Sequence, residues 1–92
     1  MAYSRIVNVE YRSEQDMDVF LSRWKVWMPK HMPEAKSRTM VKTGPTSSLL
    51  MGVYASSQVA ENAKNVVEVF FDENRDHMLD FIVFHGEVIE FE

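Results

Sequence analysis

Apolar and polar residues alternate along this chain with two different periods, and the switches between them mark its elements. Ser4–Tyr11, S-R-I-V-N-V-E-Y, alternates every second residue in β-branched and aromatic side chains, which predicts a strand. Val7, Val9 and Tyr11 then share one face, and Ile6, Asn8 and Glu10 the other. Ser13-Glu14-Gln15-Asp16 opens a helix, with a capping hydroxyl and acids at the positive end of the dipole. Met17, Phe20, Leu21, Trp24 and Met28 follow as an apolar helical stripe, widened by Val26 and Trp27. Pro29 and Pro33 are expected to stop it, with Lys30 and His31 as cations at the carbonyl end.

Lys36–Thr43 predicts a second, more polar strand near a sheet edge, and Ser48–Ala55 a third. Gly44-Pro45-Thr46-Ser47 between them is turn chemistry, a hairpin loop of about four residues. Gly52, in mid-strand, points to a bulge or a close backbone approach. Ser56 and Ser57 can cap a second helix. The rhythm Val59, Ala63, Val66, Val67, Phe70, Asn74, His77, Met78, Phe81 and His85 carries that helix as far as His85. The polar patch 72–76 is where it would break or kink, and Gly86 is its expected stop. V-V-E-V-F-F alone also fits a strand, but the cap and the length decide for helix. Glu87–Glu92 predicts a short last strand, its Glu87, Glu90 and Glu92 forming a solvated acidic tail.

The resulting order, β-α-β-β-α-β, is the ferredoxin-like plait: an α+β fold with a four-stranded antiparallel sheet and both helices on one face. At 92 residues the chain is one domain, 1–92. Two helices cover only one sheet face, yet apolar residues lie on both. Seven Met and 12% aromatics also exceed what so small a core needs. The second face is therefore expected to meet a ligand or a partner rather than plain water, and a homodimer held by that face is the expectation.

Charge and composition exclude several functions. Lys+Arg 10 against Asp+Glu 14, net −4, argues against nucleic acid as a partner. No apolar run reaches the ~18 residues of a membrane span and the start lacks a signal-peptide pattern, so a cytoplasmic protein without membrane partners is expected. Zero Cys removes disulfides, iron–sulfur clusters and thiolate zinc. No Gly-x-Ser-x-Gly, Walker or dinucleotide pattern is present. The third strand lacks the stacking aromatics and cations of RNA-binding plaits, and no glycine-rich phosphate cradle follows the first strand.

The strand I-V-N-V-E-Y, the helix end M-P-K-H-M-P-E-A, the run S-S-L-L-M-G-V-Y-A-S-S-Q-V-A-E-N-A and the terminal H-G-E-V-I-E-F resemble the dimeric α+β barrel family. That family includes antibiotic-biosynthesis-monooxygenase-like small proteins. The resemblance implies two sheets packed face to face across a two-fold axis, with a pocket between sheet and helices in each subunit. It implies no single reaction, since the family spans cofactor-free oxygenases, haem-degrading enzymes, haem peroxidase-like enzymes, isomerases and proteins without known activity. Its haem-degrading branch pairs an Asn on the first strand with a Trp and a His on the second helix. Here that helix has no Trp, so neither haem nor any other cofactor is expected.

Asn8 interrupts an apolar strand, and its amide is either a structural hydrogen-bonding group or one that orients a ligand oxygen. His77 and His85, two turns apart on the predicted helix, are either satisfied rim residues or general bases. Asn8 and His85 are the catalytic candidates; Asn8, Trp24, Tyr54, Phe70, His77, Phe81 and His85 are the ligand-binding ones. Glu73, His77 and Asp80 have a spacing that could meet a metal, although surface helices produce it by accident and no metal is expected. Glu10 is expected to pair with Arg38 across the sheet. Three functions fit: a homodimer that binds an apolar or amphipathic molecule, fatty-acyl or polyketide-like, between sheet and helices; a cofactor-independent monooxygenase or isomerase; or a structural or regulatory dimerisation module.

Overall fold

Ser13 starts the first helix: its Oγ accepts the Asp16 backbone N–H at 3.0 Å and donates to Asp16 Oδ2 at 2.7 Å. The computed structural model describes residues 1–91. Strand β1 (Tyr3–Tyr11) leads through that cap into helix α1 (Glu14–His31), followed by β2 (Ser37–Gly44), β3 (Ser47–Tyr54), helix α2 (Ser57–Glu73), a 3-10 turn (Arg75–His77) and β4 (Met78–Glu87). The strands form one antiparallel sheet in the order β2-β3-β1-β4, which puts the polar β2 at an edge as its composition suggests.

Side-chain alternation along β1 sorts the two faces. Val7, Val9 and Tyr11 are buried with Leu50 of β3 against the helices. There Phe20 of α1 meets Tyr11 and Phe70 edge-on, ring centres 5.2 and 5.1 Å apart, and Trp24 meets Phe70 at 5.3 Å. Each such pair adds about 0.5–1.5 kcal/mol beyond area burial. Burial pushes the Tyr11 phenol above its ordinary pKa, an effect partly offset by its 2.7 Å hydrogen bond with Ser48 Oγ. The opposite face carries Ile6, Leu49, Val41, Met51, Ile82 and Phe84, and no element among the described residues covers it.

The long second helix expected as far as His85 is not formed. Asn74 ends it at Glu73. Its backbone N–H bonds the Phe71 carbonyl at 3.1 Å, one residue short of the α-helical partner. Its side-chain Nδ2 donates instead to the abandoned Phe70 carbonyl at 2.9 Å. The chain then turns and runs as β4, so His85 lies on a strand and His77 in the turn. Gly86 has no positive φ and is a paired strand residue opposite Ser4, not a helix stop. The strand expected over Glu87–Glu92 is displaced toward the N-terminus: β4 ends at Glu87, and beyond it the Val88 N–H bonds back to Ala2. Glu92 lies outside the described residues.

Smaller departures have local causes. Helix α1 continues through Pro29 to His31 and ends where Met32, with ψ 140, is held extended by the following Pro33. The β2–β3 loop is Pro45 and Thr46 alone, shorter than expected, and the Thr46 carbonyl accepts the Tyr11 N–H at 2.8 Å. Gly52 marks a close approach: a Cβ there would lie 2.7 Å from Tyr54 Oη and 3.0 Å from its ring.

His77 joins the two ends of this layout. Its Nδ1 lies 2.8 Å from Asp16 Oδ1, its carbonyl accepts the Arg12 N–H at 3.2 Å, and Arg23 spans from Asn74 Oδ1 at 2.8 Å toward its Nε2 at 3.4 Å. The His77 hydrogen bond, and after it the Ser13 one, hold the Asp16 carboxyl below the ordinary 3.8. A depressed carboxyl contributes stability above its unfolded pKa and loses it as pH falls through the folded one. Asp16→Asn is therefore expected to lower the urea midpoint near neutral pH, with the gap from wild type closing below about 3.8. Equal gaps at both pH values would show that the carboxylate charge is irrelevant.

Candidate functional site

The helices leave a cleft uncovered on each flank of the sheet. On the β2 side, register places Arg38 opposite Gly52 and Met40 opposite Leu50, so Arg38, Met40 and Lys42 all point toward the helical layer. Helix α1 supplies the other wall from one stripe, Leu21, Trp24, Lys25 and Met28. The space between is about 400 Å³, and with Leu50 its walls are apolar apart from three cations, Lys25, Arg38 and Lys42. Among the described residues no carboxylate lines it.

The guanidinium of Arg38 lines this cleft and is held in place. Nη2 donates to the Pro33 carbonyl at 2.8 Å and lies 3.5 Å from Tyr54 Oη, while the group sits 5.7 Å from the Tyr54 ring centre. Among the described residues, Nη1 meets only the Met28 thioether, at 3.4 Å, a weak acceptor, and the buried Nε has no partner. The expected Glu10–Arg38 pair is not made. Glu10 follows Val9 in β1 and points to the uncovered face, whereas Arg38 points to the helices.

The second cleft lies between α2 and the β1–β4 pair, about 370 Å³, and includes Tyr3, Arg5, Glu61, Lys64, Glu68 and His85. A further 230 Å³ continues past Val83 and Phe81. Tyr3 Oη and His85 Nδ1 are 2.7 Å apart at its rim. Its charges are mixed: Lys64 lies 3.6 Å from Glu61 and 3.9 Å from Glu68. Such exposed pairs contribute about 0–1 kcal/mol each and largely neutralise one another.

The seven sequence candidates are dispersed over these surfaces. Asn8 does not reach the space between sheet and helices: its side chain points to the uncovered face, flanked by Leu49 and Ile82, because it alternates with buried Val7 and Val9. Phe70 is buried in the core, and Tyr54 is buried under Arg38. Trp24 backs the first cleft, Phe81 and His85 line the second, and His77 belongs to the Asp16 joint. His77 and His85 share no helix face, and among the described residues no group of three metal-binding side chains assembles. Arg38, Met40 and Lys42 went unnoticed as cleft residues; their every-second spacing in R-T-M-V-K was the available signal.

No family profile and no curated protein matches this sequence. Solved structures do match the fold. A protein of unknown function from Nitrosomonas europaea superposes with a TM-score of 0.80 at 11% identity, over 99% of this chain and 92% of its own. A dimeric ferredoxin-like protein from an uncultured marine organism gives 0.76 at 10% identity, over 99% and 90%. SnoaB, a cofactor-independent oxygenase from Streptomyces nogalater, gives 0.74 at 7%, over 98% and 95%. Other neighbours are antibiotic-biosynthesis-monooxygenase-like proteins. At these identities the likeness is one of architecture alone, and that architecture is the ferredoxin-like fold.

Proposed function

We propose that this protein is a homodimer that binds a small amphipathic molecule in the cleft between α1 and the β2–β3 hairpin. The observation that carries the ligand reading is the cleft itself: about 400 Å³ walled by Leu21, Trp24, Met28, Met40 and Leu50, in a chain small enough to have filled it. Flexible methionines on both walls suit an apolar tail of variable shape, fatty-acyl or polyketide-like. The dimer rests on the uncovered sheet face, where Val41, Met51, Ile82 and Phe84 are 45%, 41%, 51% and 61% exposed. The dimeric description of similarly folded proteins supports it. In that assembly Asn8 is an interface residue.

The enzymatic alternative, a cofactor-independent oxygenase or isomerase, draws on Tyr3 and His85. A phenol and an imidazole 2.7 Å apart beside a cleft that also holds Arg5 can take up a proton and steady the resulting anion. Oxygen uptake with a polyketide-like phenol that disappears in His85→Ala would favour it; absence of uptake in the wild type would remove it for that substrate class.

Two outcomes test the main reading. Light scattering at micromolar concentration is expected to give twice the monomer mass, and Ile82→Glu to halve it while circular dichroism stays unchanged; a monomeric wild type refutes the dimer. Met40→Trp, which fills the cleft, is expected to weaken a fluorescent long-chain fatty acid by about tenfold or more, roughly 1.4 kcal/mol. Equal affinity in both proteins would place the probe elsewhere.

A further inference from the structure

We infer that the first cleft selects ligands with a carboxylate head, and that Arg38 is the residue that reads it. The inference rests on the cleft being a ligand site. Its charge distribution is the starting point. The chain as a whole is net −4, yet among the described residues the cleft gathers Lys25, Arg38 and Lys42 and no acid. Such local segregation, against the overall sign, favours an anion held in a partly desolvated space.

Arg38 is also left incomplete by its own surroundings. No carboxylate pairs with it among the described ion pairs. Of its donors, Nη2 is committed to Pro33, Nη1 meets only the Met28 sulfur, and Nε is buried without an acceptor. The Pro33 carbonyl and the Tyr54 ring nevertheless fix where the guanidinium sits, so it is positioned in advance. Exchange of the Met28 thioether for a ligand carboxylate oxygen gives Nη1 a charged acceptor, and charge-assisted bonds of this kind are the strong ones. Met28 lines the cleft on a flexible side chain and can swing aside to pack on the ligand's tail. Lys25 and Lys42, both exposed, add attraction that salt will screen. The occupant is thus a monocarboxylate with an apolar chain, as in a fatty acid.

The test is displacement of a bound neutral fluorescent long-chain alcohol by dodecanoate and by dodecanol, in wild type, Arg38→Gln and Arg38→Lys. Wild type is expected to prefer dodecanoate by about tenfold or more, Arg38→Gln to lose that preference while still binding dodecanol, and Arg38→Lys to recover part of it. Retained dodecanol binding shows that the glutamine variant is folded. If wild type and Arg38→Gln bind both competitors equally, the head-group assignment is wrong and the ligand cleft stands. If neither competitor displaces the probe from any of the three proteins, both readings fall together.

Discussion

Strand β1 is hydrogen-bonded along both edges, and its alternation decides where every other strand residue points. Val7 lies opposite Leu50 on one side and Val83 on the other, so a single parity runs across three strands, and β3 passes it on to β2. A one-residue slip would bury Asn8 and Glu10 under the helices and expose Val7, Val9 and Tyr11. The cost of that exchange locks the register. The same lock sends Arg38, Met40 and Lys42 toward α1 and His85 toward α2. Cleft chemistry on both flanks is therefore a consequence of packing in the middle.

How far this was legible in the sequence depended on whether local signals stood alone. The Ser13 cap, the Met17-Phe20-Trp24 stripe and the Gly52 approach are each carried by one or a few neighbouring residues, and all are present. The second helix misled because Met78, Phe81 and His85 satisfy a helical period while L-D-F-I-V-F also suits a strand. What decides is Asn74, whose amide takes the Phe70 carbonyl and so closes the helix. Its value comes from burial and from Arg23 of the other helix, neither visible locally. The cleft was half legible: Trp24 stands out on α1, but β2 reads as a polar edge strand until pairing shows which of its residues face inward.

Two clefts on one small sheet differ chiefly in how charge is balanced. Along α2, Glu61, Lys64 and Glu68 sit at helical spacing and satisfy one another, leaving Tyr3 and His85 as the distinctive chemistry. Along α1 the acids Glu14, Asp16 and Asp18 cluster near the helix start, whereas Lys25 falls on the cleft side farther along. Acids at the positive end of the dipole stabilise the helix there and keep negative charge away from Arg38.

The Val88 N–H bonds the Ala2 carbonyl at 3.0 Å, so the start of β1 and the end of β4 are tied together at one end of the sheet. During synthesis, β1 emerges before β4 and lacks that neighbour until Met78–Glu87 has been made. Helix α1 and the β2–β3 hairpin can assemble first from local contacts, and closure of the sheet waits for the last strand. Until then one edge of the central strand remains open to pairing with any extended chain nearby.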